Sequence, residues 1–154
     1  MSQPEPARPP ATSGLQALNE LTQPPEALRH HVVGVGADLV DIATFERNLK
    51  VGGDRWLAKV FTSVELNDTD GCSDRLATRF AAKEAVVKAL GVGFRDSASP
   101  RSVEIACNED GRPYVTLRDG AAAAAAAAGI DDVLVTMSRD GGLAMAAAWA
   151  LAPN

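Results

Sequence analysis

The chain has 154 residues, 46% of them hydrophobic, and a formal net charge of −5. That suits one domain with a modest core and argues against general nucleic-acid binding. No run of about eighteen apolar residues occurs, so no membrane-spanning helix and no membrane partner are expected. The first residues also lack the charged-then-apolar order of a secretory signal. Cys72 and Cys107 have no metal-ligand spacing and read as reduced, structural thiols of a cytoplasmic protein.

In chain order, residues 1–29 hold six of the nine prolines. They read as a flexible extension with a single short candidate helix at Leu15–Leu21, a docking segment being the alternative. Residues 30–154 form the domain. His31–Gly36 is β-branched and bounded by glycine, which predicts a buried strand. Asp41 is placed to cap a helix whose Ile42, Phe45 and Leu49 share a face. Thr62 with Glu65 makes a capping box, flanked by a Phe61–Leu66 hydrophobic staple, so a helix starts at about residue 63. Asp74 is placed to cap a long central helix that Gly91 ends. Val103–Cys107 and Tyr114–Leu117 flank the turn Glu109-Asp110-Gly111-Arg112 as a hairpin. Ala121–Ala128 predicts a spacer helix packed on the sheet and closed by Gly129. Val133–Ser138 and Leu143–Leu151 flank Asp140-Gly141-Gly142 as a second hairpin. This order indicates an α+β fold with an antiparallel sheet and a long central helix.

The central segment, Arg79 to Gly91, concentrates the chemistry. At about 100° per residue, Leu76, Phe80, Val87 and Leu90 share one stripe, with Lys83 in its middle and Glu84 at its edge. Ala77, Ala81, Ala85 and Ala89 form an opposite face that lets another backbone approach closely. Burying Glu84, Lys83 and Lys88 on such a helix is costly unless they meet a metal, a phosphate or each other. Asp38, following the glycine-rich Val33–Ala37 segment, adds a second carboxylate. Two carboxylates from separate elements beside clustered ammonium groups suit a Mg²⁺ ion and a phosphorylated ligand. An ordinary Glu84–Lys88 surface pair and a snorkelling Lys83 are the competing readings.

Gly34-Val35-Gly36-Ala37-Asp38-Leu39-Val40-Asp41-Ile42 resembles the N-terminal signature of the holo-[acyl carrier protein] synthases, the small 4′-phosphopantetheinyl transferases. Phe61-Thr62-Ser63-Val64-Glu65-Leu66, the Arg79–Gly91 helix, Gly111-Arg112-Pro113 and Val133–Ala147 resemble further segments of that family, in order, over residues 32–151.

The resemblance implies transfer of 4′-phosphopantetheine from coenzyme A to a serine of an apo acyl carrier protein, leaving adenosine 3′,5′-bisphosphate. It implies Asp38 and Glu84 as Mg²⁺ ligands and Lys88 as the phosphate-neutralising lysine. Arg79 and Lys83 follow as further phosphate contacts. The serine proton goes either to a water on the metal or to Glu84. Gly91 lies where the family approaches the nucleotide, although a plain helix stop also explains it. Arg47 and Lys50, in a basic stretch with Arg55 and Lys59, would dock the acidic carrier protein, the other reading being a solvated face. The resemblance further implies a homotrimer with the active site between subunits. Two departures stand out. Ser138-Arg139 occupies the place of a frequent Ser-His or Thr-His, with Arg139 still able to contact phosphate, and Thr44 stands where a basic residue is common. A carrier-binding scaffold without turnover is the alternative reading.

Overall fold

The computed structural model describes residues 31–95 and 97–153. The expected extension over residues 1–29, its Leu15–Leu21 helix and His30 lie outside the described residues. Among the described residues five strands and four α-helices follow in order: β1 (Val32–Asp41), α1 (Ile42–Val60), α2 (Ser63–Asp68), α3 (Ser73–Ala89), β2 (Val103–Cys107), β3 (Pro113–Leu117), α4 (Asp119–Ala127), β4 (Asp132–Asp140) and β5 (Leu143–Leu151). The strands make two antiparallel sheets, one of order β1-β5-β4 and one hairpin, β2-β3. The expected α+β class is observed. Division into two sheets, and the pairing of the first strand with the last, come from tertiary contacts.

The local signals act as the sequence suggests at most ends. The Asp41 carboxylate accepts the Thr44 N–H at 2.7 Å and caps α1. Thr62 and Glu65 form the reciprocal capping box of α2, and Phe61 and Leu66 pack in one apolar cluster. The start of α3 differs: its boundary residue is Cys72, with no side-chain cap, and Asp74 sits inside the first turn. Asp74 accepts from the Cys72 thiol and the Arg75 N–H there, where a carboxylate still complements the helix dipole. Helix α1 is kinked at Gly53, whose φ is 57°.

Helix α3 lies on the inner face of the three-stranded sheet. Ala144, Ala146, Ala148 and Ala150 of β5 are buried, and their partners on β1 are Val40, Asp38, Gly36 and Gly34. Directly opposed residues share a sheet face, so Gly34, Gly36 and Asp38 point the same way, toward α3. A Cβ on Gly34 or Gly36 would lie 2.0 Å from the carbonyl oxygens of Ala89 and Ala85 respectively. Backbone therefore meets backbone across the expected alanine face of α3, and only glycine fits at these two strand positions. The main core joins Ala85, Ala89, Ala146, Ala148 and Ala150 to Val86, Val87, Val103 and Ile105, with Ala121 and Ala125 of α4. A second cluster beneath α1 centres on Phe45, Phe61 and Leu76, with Phe45 at 5.6 Å from Trp56 and 5.8 Å from Phe80 between ring centroids.

Candidate active site

The strand β1 does not stop at Gly36, because β5 supplies partners as far as Asp41. Asp38 is therefore inside the strand rather than after it. Its side chain projects from the sheet face that α3 covers, two residues beyond the glycines that let the helix come close. Helix α3 contributes Glu84 and, one turn on, Lys88. The Lys88 ammonium donates to Asp38 Oδ1 at 2.8 Å and to the Ala37 carbonyl at 3.0 Å. The expected alternative, a Glu84–Lys88 surface pair, does not form among the described residues; the lysine turns to the strand.

Glu84 is half-buried, and its carboxyl is held above the ordinary carboxylate range by burial first and the Asp38 charge second, with Lys88 offsetting part of this. Its carboxylate takes no hydrogen bond or ion pair among the described residues. One ammonium, on Asp38, thus stands against two carboxylates, which leaves the cluster short of positive charge. Asp38 and Glu84 also line a groove of about 260 Å³ with Phe45, Trp56, Phe80, Thr44 and Asn48.

This donor set fits Mg²⁺. No group of three or more His, Cys, Asp or Glu side chains gathers among the described residues, as a closed zinc or calcium cage would need. Mg²⁺ is instead held through one or two carboxylates, with water and substrate oxygens completing its shell.

A second pocket, of about 430 Å³, opens beside the first half of α3 and is lined by Arg75, Arg79 and Arg139 with Asp68, Cys107 and Met137. Arg79 is buried at 7% exposure. Its guanidinium donates to the Asp68 carboxylate and lies 3.2 Å from Cys107 Sγ, while its Nε–H is buried without a partner among the described residues. Arg139 pairs with Asp74 at 3.1 Å. The expected contacts Arg79 and Arg139 are therefore brought together. Arg75 joins them without a motif of its own; its place one turn before Arg79 on the same helix is the sequence signal that finds it.

Residues 34–148 match the family model of the 4′-phosphopantetheinyl transferase superfamily. The chain belongs to that superfamily. It is 37% identical over 118 residues to a holo-[acyl-carrier-protein] synthase of Geotalea daltonii, covering 75% of this chain and 94% of that one. Identity to the synthase of Paramagnetospirillum magneticum is 47% over 97 residues, 60% of this chain and 72% of that one. Among solved structures, the Neisseria meningitidis synthase superposes with a TM-score of 0.70 at 30% identity, covering 77% of this chain and 98% of that chain. The Helicobacter pylori synthase in complex with coenzyme A gives a TM-score of 0.69 at 28% identity, covering 75% and 98%. The fold is that of the superfamily.

One transferase expectation needs correcting. Lys83 does not present its ammonium to a phosphate. Its side chain is fully buried, paired with Glu65 Oε2 at 2.8 Å, and it donates to the carbonyls of Pro100 at 2.9 Å and Val103 at 2.6 Å. Three acceptors use its three N–H groups, and Phe61 lies beneath at 5.6 Å. Lys83 is a core residue that ties α3 to α2 and β2.

Gly91 has φ of 74°. The Gly91 and Val92 N–H groups return to the Lys88 and Val87 carbonyls at 3.1 and 3.2 Å, a Schellman stop that accounts for this glycine from the helix alone. Arg47 and Lys50 are exposed on α1. Arg47 donates to Thr44 Oγ1 at 2.8 Å, and Thr44 lines the groove of Asp38 and Glu84, so the basic helix borders that groove.

Proposed function

We propose that this chain transfers 4′-phosphopantetheine from coenzyme A to a serine of an apo acyl carrier protein. The observation that carries the reading is the convergence of Asp38 and Glu84 across the β1–α3 contact, with Lys88 on Asp38. The serine oxygen attacks the pyrophosphate phosphorus that bears the pantetheine. The bond from that phosphorus to the bridging oxygen breaks, and its electron pair leaves with adenosine 3′,5′-bisphosphate. Asp38 and Glu84 hold Mg²⁺, which when bound neutralises charge on the pyrophosphate. Lys88 supplies a second positive charge to the phosphates. Glu84, or water beside it, takes the serine proton.

Arg79 and Arg139, with Arg75, receive the remaining phosphate of coenzyme A, and the chain leaving α3 at Gly91 passes beside the nucleotide. The two pockets share no lining residue. That supports a homotrimer in which one subunit's carboxylates and its neighbour's arginines hold one coenzyme A. The outer face of the three-stranded sheet supports it too: Val35, Leu39, Leu134 and Leu143 stand 46%, 53%, 38% and 40% exposed in the single chain, apolar strand surface that a neighbouring subunit can cover. Arg47 and Lys50 dock the acidic carrier protein beside the groove. No helix among the described residues is long and apolar enough to cross a membrane, and the setting in which coenzyme A and the carrier protein meet is the cytoplasm.

The test is mass spectrometry of an apo carrier protein incubated with this protein, coenzyme A and Mg²⁺. A gain of one phosphopantetheine, lost when Mg²⁺ is chelated, is expected. Carrier that is bound but unmodified would leave the scaffold reading.

A further inference from the structure

We propose that Lys88 is a resident counter-cation of the metal site: its ammonium holds Asp38 until a divalent cation displaces it, and it then turns to the phosphates of the coenzyme. The proposal rests on the magnesium reading above. Helical spacing alone would pair Lys88 with Glu84. Instead the lysine crosses to β1. A Cβ on Gly36 would lie 2.9 Å from the Lys88 Cβ, so the lysine stem begins against the strand, and its tip reaches the Ala37 carbonyl and Asp38. Asp38 thus has its charge met by Lys88, while Glu84 takes no ion pair among the described residues. An ammonium and a dication cannot share Asp38 Oδ1 without mutual repulsion.

Burial permits the exchange. The Lys88 side chain is 51% exposed and that of Asp38 19%, so the ammonium can leave into water or onto a ligand at little cost, and an exposed pair of this kind is weakly held. Release makes the lysine available to an anion at the moment the metal arrives. Metal and coenzyme A should then each tighten the other's binding, by the same factor.

The experiment follows the Lys88 ammonium by nitrogen-15 NMR in the full chain, its signal assigned by loss in Lys88→Met, while Mg²⁺ binding is measured separately by calorimetry. The expected result is a signal protected from solvent exchange without metal, also absent in Asp38→Asn, that disappears over the Mg²⁺ range in which heat is released. Lys88→Met should bind Mg²⁺ about fivefold tighter than wild type without coenzyme A, and should show weaker mutual tightening with coenzyme A than wild type. A signal unchanged at Mg²⁺ saturation, or a variant that binds Mg²⁺ no better, overturns the exchange while leaving the metal site standing. Absence of heat in wild type and variants alike removes the metal reading and the exchange with it.

Discussion

Lys83 and Lys88 lie on the same helix and each meets a carboxylate at 2.8 Å, yet the two pairs do different work. Both members of Lys83–Glu65 are at 0% exposure, against 51% and 19% for Lys88–Asp38. Burial pushes the Lys83 ammonium down, and the Glu65 charge pulls part of it back. The surrounding groups complete the set, with the Glu65 carboxylate also accepting from the Ile105 and Thr62 N–H groups at 2.8 Å each. Nothing is left over there for a ligand. Around Lys88 one carboxylate is in surplus, and that surplus is what a bound cation would use. Distance makes the pairs look alike; burial and the count of satisfied groups separate scaffold from site.

The largest effect expected of breaking this contrast is on the buried side. Lys83→Met orphans Glu65 and should lower unfolding free energy by about 3–5 kcal/mol, measured by urea denaturation. Adding Glu65→Gln should recover part of it, by removing the unpaired charge. If Lys83→Met kept wild-type stability and lost coenzyme A affinity instead, Lys83 would be a ligand contact after all.

On the exposed side, Arg47→Glu with Lys50→Glu should raise the KM for carrier protein about tenfold at 0.1 M salt and leave that for coenzyme A nearly unchanged. The effect should shrink as salt rises. Equal loss for both substrates would move the docking face off α1.

The smallest effect sharpens the comparison through pH. The Glu84 carboxyl is raised in the folded protein, so the unfolded chain ionises it first and ionisation opposes folding. Below the ordinary carboxylate range both states are protonated and the penalty vanishes; it grows as pH rises through the folded value. Glu84→Gln without metal should therefore melt slightly above wild type at neutral pH, with the difference gone by about pH 3. A variant that melts lower at neutral pH would mean that Glu84 holds the fold rather than straining it.

Short-range chemistry made much of this legible. The Thr62–Glu65 box, the Asp41 cap, the Gly91 stop and the hairpin turns each depend on residues within a few positions, and the alanine face of α3 announced the close backbone contact that Gly34 and Gly36 provide. Lys83 and Lys88 could not be told apart, because both are lysines on one small, apolar helix. What buries Lys83 comes from α2, from the Pro100 turn and from β2, none of it visible in helical spacing. Local signals alone place Asp38 after its strand, because the strand's reach depends on β5, at the other end of the chain. The alternation Gly34, Gly36, Asp38 was nevertheless present in the sequence, and it puts the carboxylate on the face where α3 packs.

The most direct test of this division of labour is single-turnover transfer to apo carrier protein by Glu84→Gln at saturating coenzyme A and Mg²⁺. The account predicts a folded protein that still binds carrier and whose transfer step falls by at least about a hundredfold. Transfer near the wild-type rate with unchanged Mg²⁺ dependence would contradict it.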